Sequence, residues 1–156
     1  QDTLVPPGEL KCVDGMLEFA WENQGCWSCR TLTEGEDPPV YSDSGDCYYD
    51  RPGFLQICDS LSHFLITLSL QEAVMSAPVL VAVEEETAAS AVIPELRPLW
   101  LNGNYVFDEP THNIFHVPGQ DILVLEQTEL GIWVASHSTD VFDLLQPDAN
   151  YERIHS

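Results

Sequence analysis

Turn dipeptides cut most of this chain into short apolar runs, with one long exception of clear helical spacing. Leu10-Lys11-Cys12-Val13 and Met16-Leu17-Glu18-Phe19-Ala20-Trp21 flank Asp14-Gly15, a pair whose residues both tolerate the positive φ of a two-residue hairpin turn. Strand alternation places Leu17, Phe19 and Trp21 on one face of the second run, and Glu18 and Ala20 on the other. Pro6-Pro7-Gly8 marks a preceding loop. A third strand is expected over Cys26 to Leu32, reached through Asn23-Gln24-Gly25 with Gly25 left-handed. Glu34 to Pro39 reads as loop. Pro39-Val40-Tyr41 and Asp46 to Asp50 read as short strands around the turn Asp43-Ser44-Gly45, completing an antiparallel meander.

The exception follows. Asp59 and Ser60 are good N-cap residues, and Leu61, Phe64, Leu65 and Leu68 recur at helical spacing, predicting one main helix over about 60–75 with Pro78 as its stop. Residues 79–93 stay open between strand, for their Val-rich start, and helix, for Glu84 to Ala91. Strands resume at Leu99–Leu101, Tyr105–Asp108, Asn113–Val117, Asp121–Glu126 and Gly131–Ser136. A short C-terminal helix, capped by Ser138 or Thr139 and carrying Val141, Leu144 and Leu145, ends at Pro147. The fold class is α+β with a central, mostly antiparallel sheet. At 156 residues the chain is expected to be one domain with a proper core.

Charge limits the partners. Twenty-six acidic residues against five basic ones give a formal net charge of −21, although only 20% of residues are charged. The imbalance is therefore a shortage of cations: Lys11, Arg30, Arg51, Arg97 and Arg153 are scattered along the chain. Such a surface repels nucleic-acid phosphates and anionic membranes and steers basic proteins towards itself. Solubility, or adaptation to a salty habitat, would produce the same composition without a partner. No run approaches the roughly 18 apolar residues of a membrane span. The chain opens on Gln1-Asp2-Thr3, the start expected of a processed, trimmed or incomplete sequence.

Five cysteines, at 12, 26, 29, 47 and 58, make an odd number without a disulfide-framework spacing, and reduced thiols in a cytoplasm are the simpler account. Cys26-Trp27-Ser28-Cys29 invites a redox or zinc reading. Its flanks look like strand, where residues three apart point to opposite faces, so two buried small side chains are the better expectation. His112 and His116 have helical chelating spacing, but Ile114, Phe115 and Val117 favour a strand, on which four residues span about 13 Å. No metal or other cofactor is expected. Gly-x-Ser-x-Gly, a phosphate-cradling glycine loop and His-Glu-x-x-His are all missing from the sequence, so no catalytic residue is assigned.

Pro6-Pro7-Gly8-Glu9-Leu10, Val13-Asp14-Gly15-Met16-Leu17-Glu18-Phe19 and Glu22-Asn23-Gln24-Gly25-Cys26-Trp27 together resemble the SUKH superfamily of bacterial immunity proteins. Asp37-Pro38-Pro39-Val40-Tyr41, then Leu61-Ser62-His63-Phe64-Leu65 and Glu72-Ala73-Val74, extend the likeness. The resemblance implies one α+β domain over 1–156 without catalytic residues. It further implies neutralisation, inside the bacterial cell, of a toxin that is often a nuclease or deaminase. The same superfamily holds a fungal cell-wall-synthesis regulator, which implies a scaffold role as the alternative. Cys29-Arg30 departs from the aromatic and glycine common in relatives, and the domain is expected to lack its usual N-terminal helical segment here. Charge and resemblance converge on a basic toxin domain as partner. The expected contacts are the loop carboxylates Glu22, Asp37, Asp43, Asp46 and Asp50, with Glu84 to Glu86 and Asp108-Glu109 in reserve. A thiol redox or zinc protein built on Cys26 and Cys29 is the third alternative.

Overall fold

A computed structural model describes residues 2–45, 50–83, 88–93, 95–103, 112–127, 131–145 and 151–155. They fall into two compact units, one comprising the described residues up to Leu68 and the other those from Ser69 onward. The fold class is α+β, with the strands divided between two antiparallel sheets.

The first unit contains β1 (Thr3–Leu4), β2 (Lys11–Val13), β3 (Met16–Trp21), β4 (Ser28–Leu32), β5 (Val40–Ser42) and β6 (Leu55–Cys58). Their order is β1-β3-β4-β5-β6, and β2 also pairs with β3. The β2–β3 turn is the expected one, with Asp14 at φ 52° and Gly15 at φ 81°. The facing of β3 is not. Register runs from Glu18 opposite Arg30 to Ala20 opposite Cys29, leaving Phe19 as the extra residue of a β-bulge. Phe19 and Ala20 are consequently both buried, while Trp21 is 37% exposed and parted from Phe19, a break in strict alternation.

Helix α1 (Leu61–Met75) has the expected bounds. Ser60 caps it, its hydroxyl accepting from the His63 amide at 3.1 Å. Phe64 and Leu68 pack with Phe19, Trp27, Cys29, Val40 and Ile57 into this unit's core, helped by the half-buried Leu61 and Leu65. Phe64 meets Phe19 edge to face at 5.6 Å between centroids.

In the second unit β7 (Val79–Val83), helix α2 (Ala89–Val92), β8 (Arg97–Gly103), β9 (His112–His116), β10 (Ile122–Gln127), β11 (Gly131–Ser136) and β12 (Tyr151–His155) follow one another. The sheet order is β12-β7-β11-β10-β9-β8. Residues 79–93 thus begin as strand and finish as a single helical turn, at its described residues. β7 lies between two partners, which explains its unbroken Val-Leu-Val-Ala-Val. Val81, Val124 and Val134 face one core layer with Val92, Ile93 and Val141. Leu80, Leu125 and Ala135 face another, with Ile114 and with Val74 of α1. The expected C-terminal helix is a 3-10 turn over Thr139–Asp143, capped by the Ser138 hydroxyl, which accepts from the Asp140 amide at 3.2 Å. The strand expected over Tyr105–Asp108 lies outside the described residues, as does all but Asp50 of that expected over Asp46 to Asp50.

Candidate functional site

Of the expected contact carboxylates, Glu22 follows β3, Asp37 precedes β5, and Asp43 and Asp50 share the connection from β5 to β6; three of them are turned onto the chain itself. Glu22 closes the β3–β4 loop: its Oε2 accepts from the amides of Gln24 at 2.8 Å and Cys26 at 3.2 Å. With Gly25 at φ 76° and its amide donating to the Glu22 carbonyl, Asn23-Gln24-Gly25 serves as the turn. Asp43 accepts from the Ser28 amide at 2.6 Å and the Ser28 hydroxyl at 3.3 Å, holding β4 to the segment after β5. Asp37 reaches across 25 residues to the first turn of α1, accepting from the Ser62 amide at 2.8 Å and hydroxyl at 2.6 Å. Asp50 is exposed, in a left-handed backbone conformation (φ 52°) that Asp tolerates. Asp46, Glu84 to Glu86 and Asp108-Glu109 lie outside the described residues.

The role of Asp37 is testable. The Ser62 hydroxyl and amide hold its carboxyl below the usual carboxylate range. A depressed folded-state pKa stabilises above the unfolded value, about 3.9, and that contribution is lost as pH falls through the folded value. Asp37→Ala is therefore expected to lower the melting temperature at neutral pH. The gap from the unmodified protein should close in acid below the carboxylate range. Melting curves at pH 7 and in strong acid check this; an equal gap at both would assign the loss to something other than the charged cap.

The Cys26-x-x-Cys29 pair is split by its strand. Cys29 is fully buried against the helix-facing core, whereas Cys26 is exposed at the hairpin loop. Burial pushes the Cys29 thiol well up, against a smaller lowering from Ser42, so it does not supply a thiolate at neutral pH. His112 and His116 both lie on β9, as the flanking residues implied. His112 is fully buried and bonded through Nε2 to Gln127 Nε2 at 2.9 Å.

Two arginines likewise engage groups of the chain itself. Arg30 donates through Nε and Nη2 to Glu18 Oε2, at 3.2 and 3.1 Å, and lies 4.0 Å over the Phe54 ring. Arg153 lies 3.8 Å over Phe142.

One concave feature was not foreseen. Between β1 and β2 the chain leaves the edge of β3 through Pro6-Pro7-Gly8-Glu9, a turn closed by the Glu9 amide on the Pro6 carbonyl at 2.8 Å. This loop and the outer face of β3 enclose about 370 Å³, lined by Val5, Gly8, Glu9, Leu10, Lys11, Glu18 and Trp21. Trp21 reaches it because of the bulge at Phe19. The sequence signal was the Pro-Pro-Gly between two pairing segments; the bulge itself leaves no mark in composition.

Comparison with protein-family models, with curated proteins and with solved structures finds no match to this chain. The likeness to the SUKH superfamily accordingly rests on the residues quoted for it. No helix among the described residues is long and apolar enough to cross a membrane.

Proposed function

We propose that this is a non-catalytic, immunity-type binding protein of the SUKH kind, which neutralises a basic nuclease-like or deaminase-like toxin in the cytoplasm by covering its active site. The observation that carries the reading is the uncompensated acidity of a folded scaffold. A net charge of −21 is presented while Arg30 is engaged with Glu18 and Phe54, and Arg153 with Phe142. A nucleic-acid enzyme gathers cations around its substrate phosphates, and a carboxylate surface complements them. The burial of Cys29 weighs against the thiol redox and zinc alternative.

The partner-facing acids are best sought among carboxylate oxygens that accept no bond from the described residues. Among the described residues Asp50 qualifies; Glu22 is tied to amides of its own loop, Asp37 to Ser62 of α1 and Asp43 to Ser28 of β4. The test is capture of partners from bacterial lysate by the tagged protein, followed by assay of the captured protein. The expected result is one basic partner whose nuclease or deaminase activity falls to zero at equimolar addition. A captured partner with no such activity, or one fully active when bound, favours the scaffold alternative.

A further inference from the structure

The cavity beside β3 has the chemistry of a side-chain receptor. Its apolar lining comes from Val5, Leu10 and Trp21. Large aromatics are normally kept for cores, yet the bulge at Phe19 turns Trp21 out of one and leaves it over a third exposed. The carboxylate of Glu18 is fixed in place. Both bonds from Arg30 end on its Oε2, and Arg30 is itself held over Phe54, so Oε1 remains open. Glu9, on the Pro6-Pro7-Gly8-Glu9 turn, supplies a second carboxylate to the lining. An exposed indole face beside two carboxylates is the arrangement that receives a planar cation: the guanidinium stacks on the ring while its edge donates to the oxygens.

We propose that this cavity seats an arginine side chain projecting from the surface of a basic protein partner. Its guanidinium stacks on Trp21 and bonds to Glu18 and Glu9, and its methylenes lie against Val5 and Leu10. The proposal rests on the reading of the chain as a binder of basic proteins, and it names the chemistry that one point of contact recognises. Lys11, directly opposite Glu18 in the β2–β3 register, also lines the cavity and competes for the same carboxylates. Lysine from a partner is the poorer occupant, because an ammonium neither stacks on the indole nor bridges two oxygens in its plane.

The test needs no identified partner. The whole protein, labelled with ¹⁵N, is titrated with N-acetyl-arginine amide, N-acetyl-lysine amide and N-acetyl-leucine amide while the indole N–H signals of its four tryptophans are followed. Trp21→Phe identifies the Trp21 signal. Arginine amide is expected to move that signal with a dissociation constant on the order of 1 mM, the range open to so small a ligand. Lysine amide is expected to bind several-fold more weakly and leucine amide not to saturate. Lys11→Met should tighten arginine binding about threefold and Glu9→Gln weaken it about threefold, the scale of exposed charge pairs. A Trp21 signal unmoved by arginine amide, or moved equally by leucine amide, overturns the proposal. If that happens while a basic partner is still captured and inhibited, the cavity assignment alone falls. If arginine amide binds but no basic partner is captured, the proposed function falls and takes the protein-partner half of this inference with it.

Discussion

Phe64→Ala is expected to cost about 3–5 kcal/mol, the range for deleting a fully buried aromatic ring. Phe64 is completely buried, sits edge to face on Phe19, and joins helix α1 to the inner face of the first sheet through Trp27, Cys29 and Val40. Its loss removes apolar area and leaves a cavity that the stiff neighbours Val40 and Ile57 cannot fill. Against a typical total stability of about 5–15 kcal/mol, a loss of that size leaves the first unit marginal. Phe64→Leu, which keeps most of the volume, should cost well under half as much. Urea unfolding followed by tryptophan fluorescence measures both. A loss below about 1 kcal/mol for the alanine variant would show that Phe64 does not occupy the centre of this core.

The second large effect is expected at Gln127. An indole N–H can only donate, so the bond from Trp133 Nε1 at 2.9 Å identifies the Gln127 oxygen, and the amide nitrogen must then face His112. That nitrogen donates, hence His112 Nε2 accepts, and the ring is the neutral tautomer with its proton on Nδ1. Gln127→Met keeps the length of the side chain and removes both bonds. It should cost about 2–4 kcal/mol, because a fully buried imidazole nitrogen and a half-buried indole N–H each lose their partner. Urea unfolding gives the cost, and the ¹⁵N shifts of the His112 ring report the tautomer. A proton on Nε2 in the unmodified protein would contradict the geometry, as would a cost near zero.

Local signals made some elements legible and non-local pairing hid others. The bounds of α1 followed from apolar spacing and the Ser60 cap, and the β2–β3 hairpin from Asp14-Gly15, all within a few residues of one another. β6, Leu55–Cys58, was missed because four residues directly before a helix carry too little pattern. β1 and β12 are strands only through pairing with residues far along the chain, Trp21 and Ala20 for one and Leu80, Val81, Ala82 and Val83 for the other. The bulge changes which face Trp21 occupies without changing any residue, so alternation alone put it on the face of Leu17 and Phe19.

The candidate site was legible in charge and not in geometry. A surplus of carboxylates can be counted, but whether one is available to a partner depends on the amides near it. Asp37 answers to Ser62 and Asp43 to Ser28, pairings set by the tertiary fold. The cavity at Trp21 requires the bulge, the Pro6-Pro7 detour and the Arg30–Glu18 pair together. Each has a plain structural reading when taken alone in the sequence.

The most direct test of the central claim, that acidity serves recognition of a basic toxin, is the association rate of the purified protein with its captured partner across ionic strength. The account predicts a rate falling steeply between about 20 and 500 mM salt, by roughly tenfold or more, with dissociation changing far less. Asp50→Asn should lower the rate at low salt and make little difference at high salt. A rate independent of salt, or a partner that is itself acidic, would contradict the account and leave the charge to solubility.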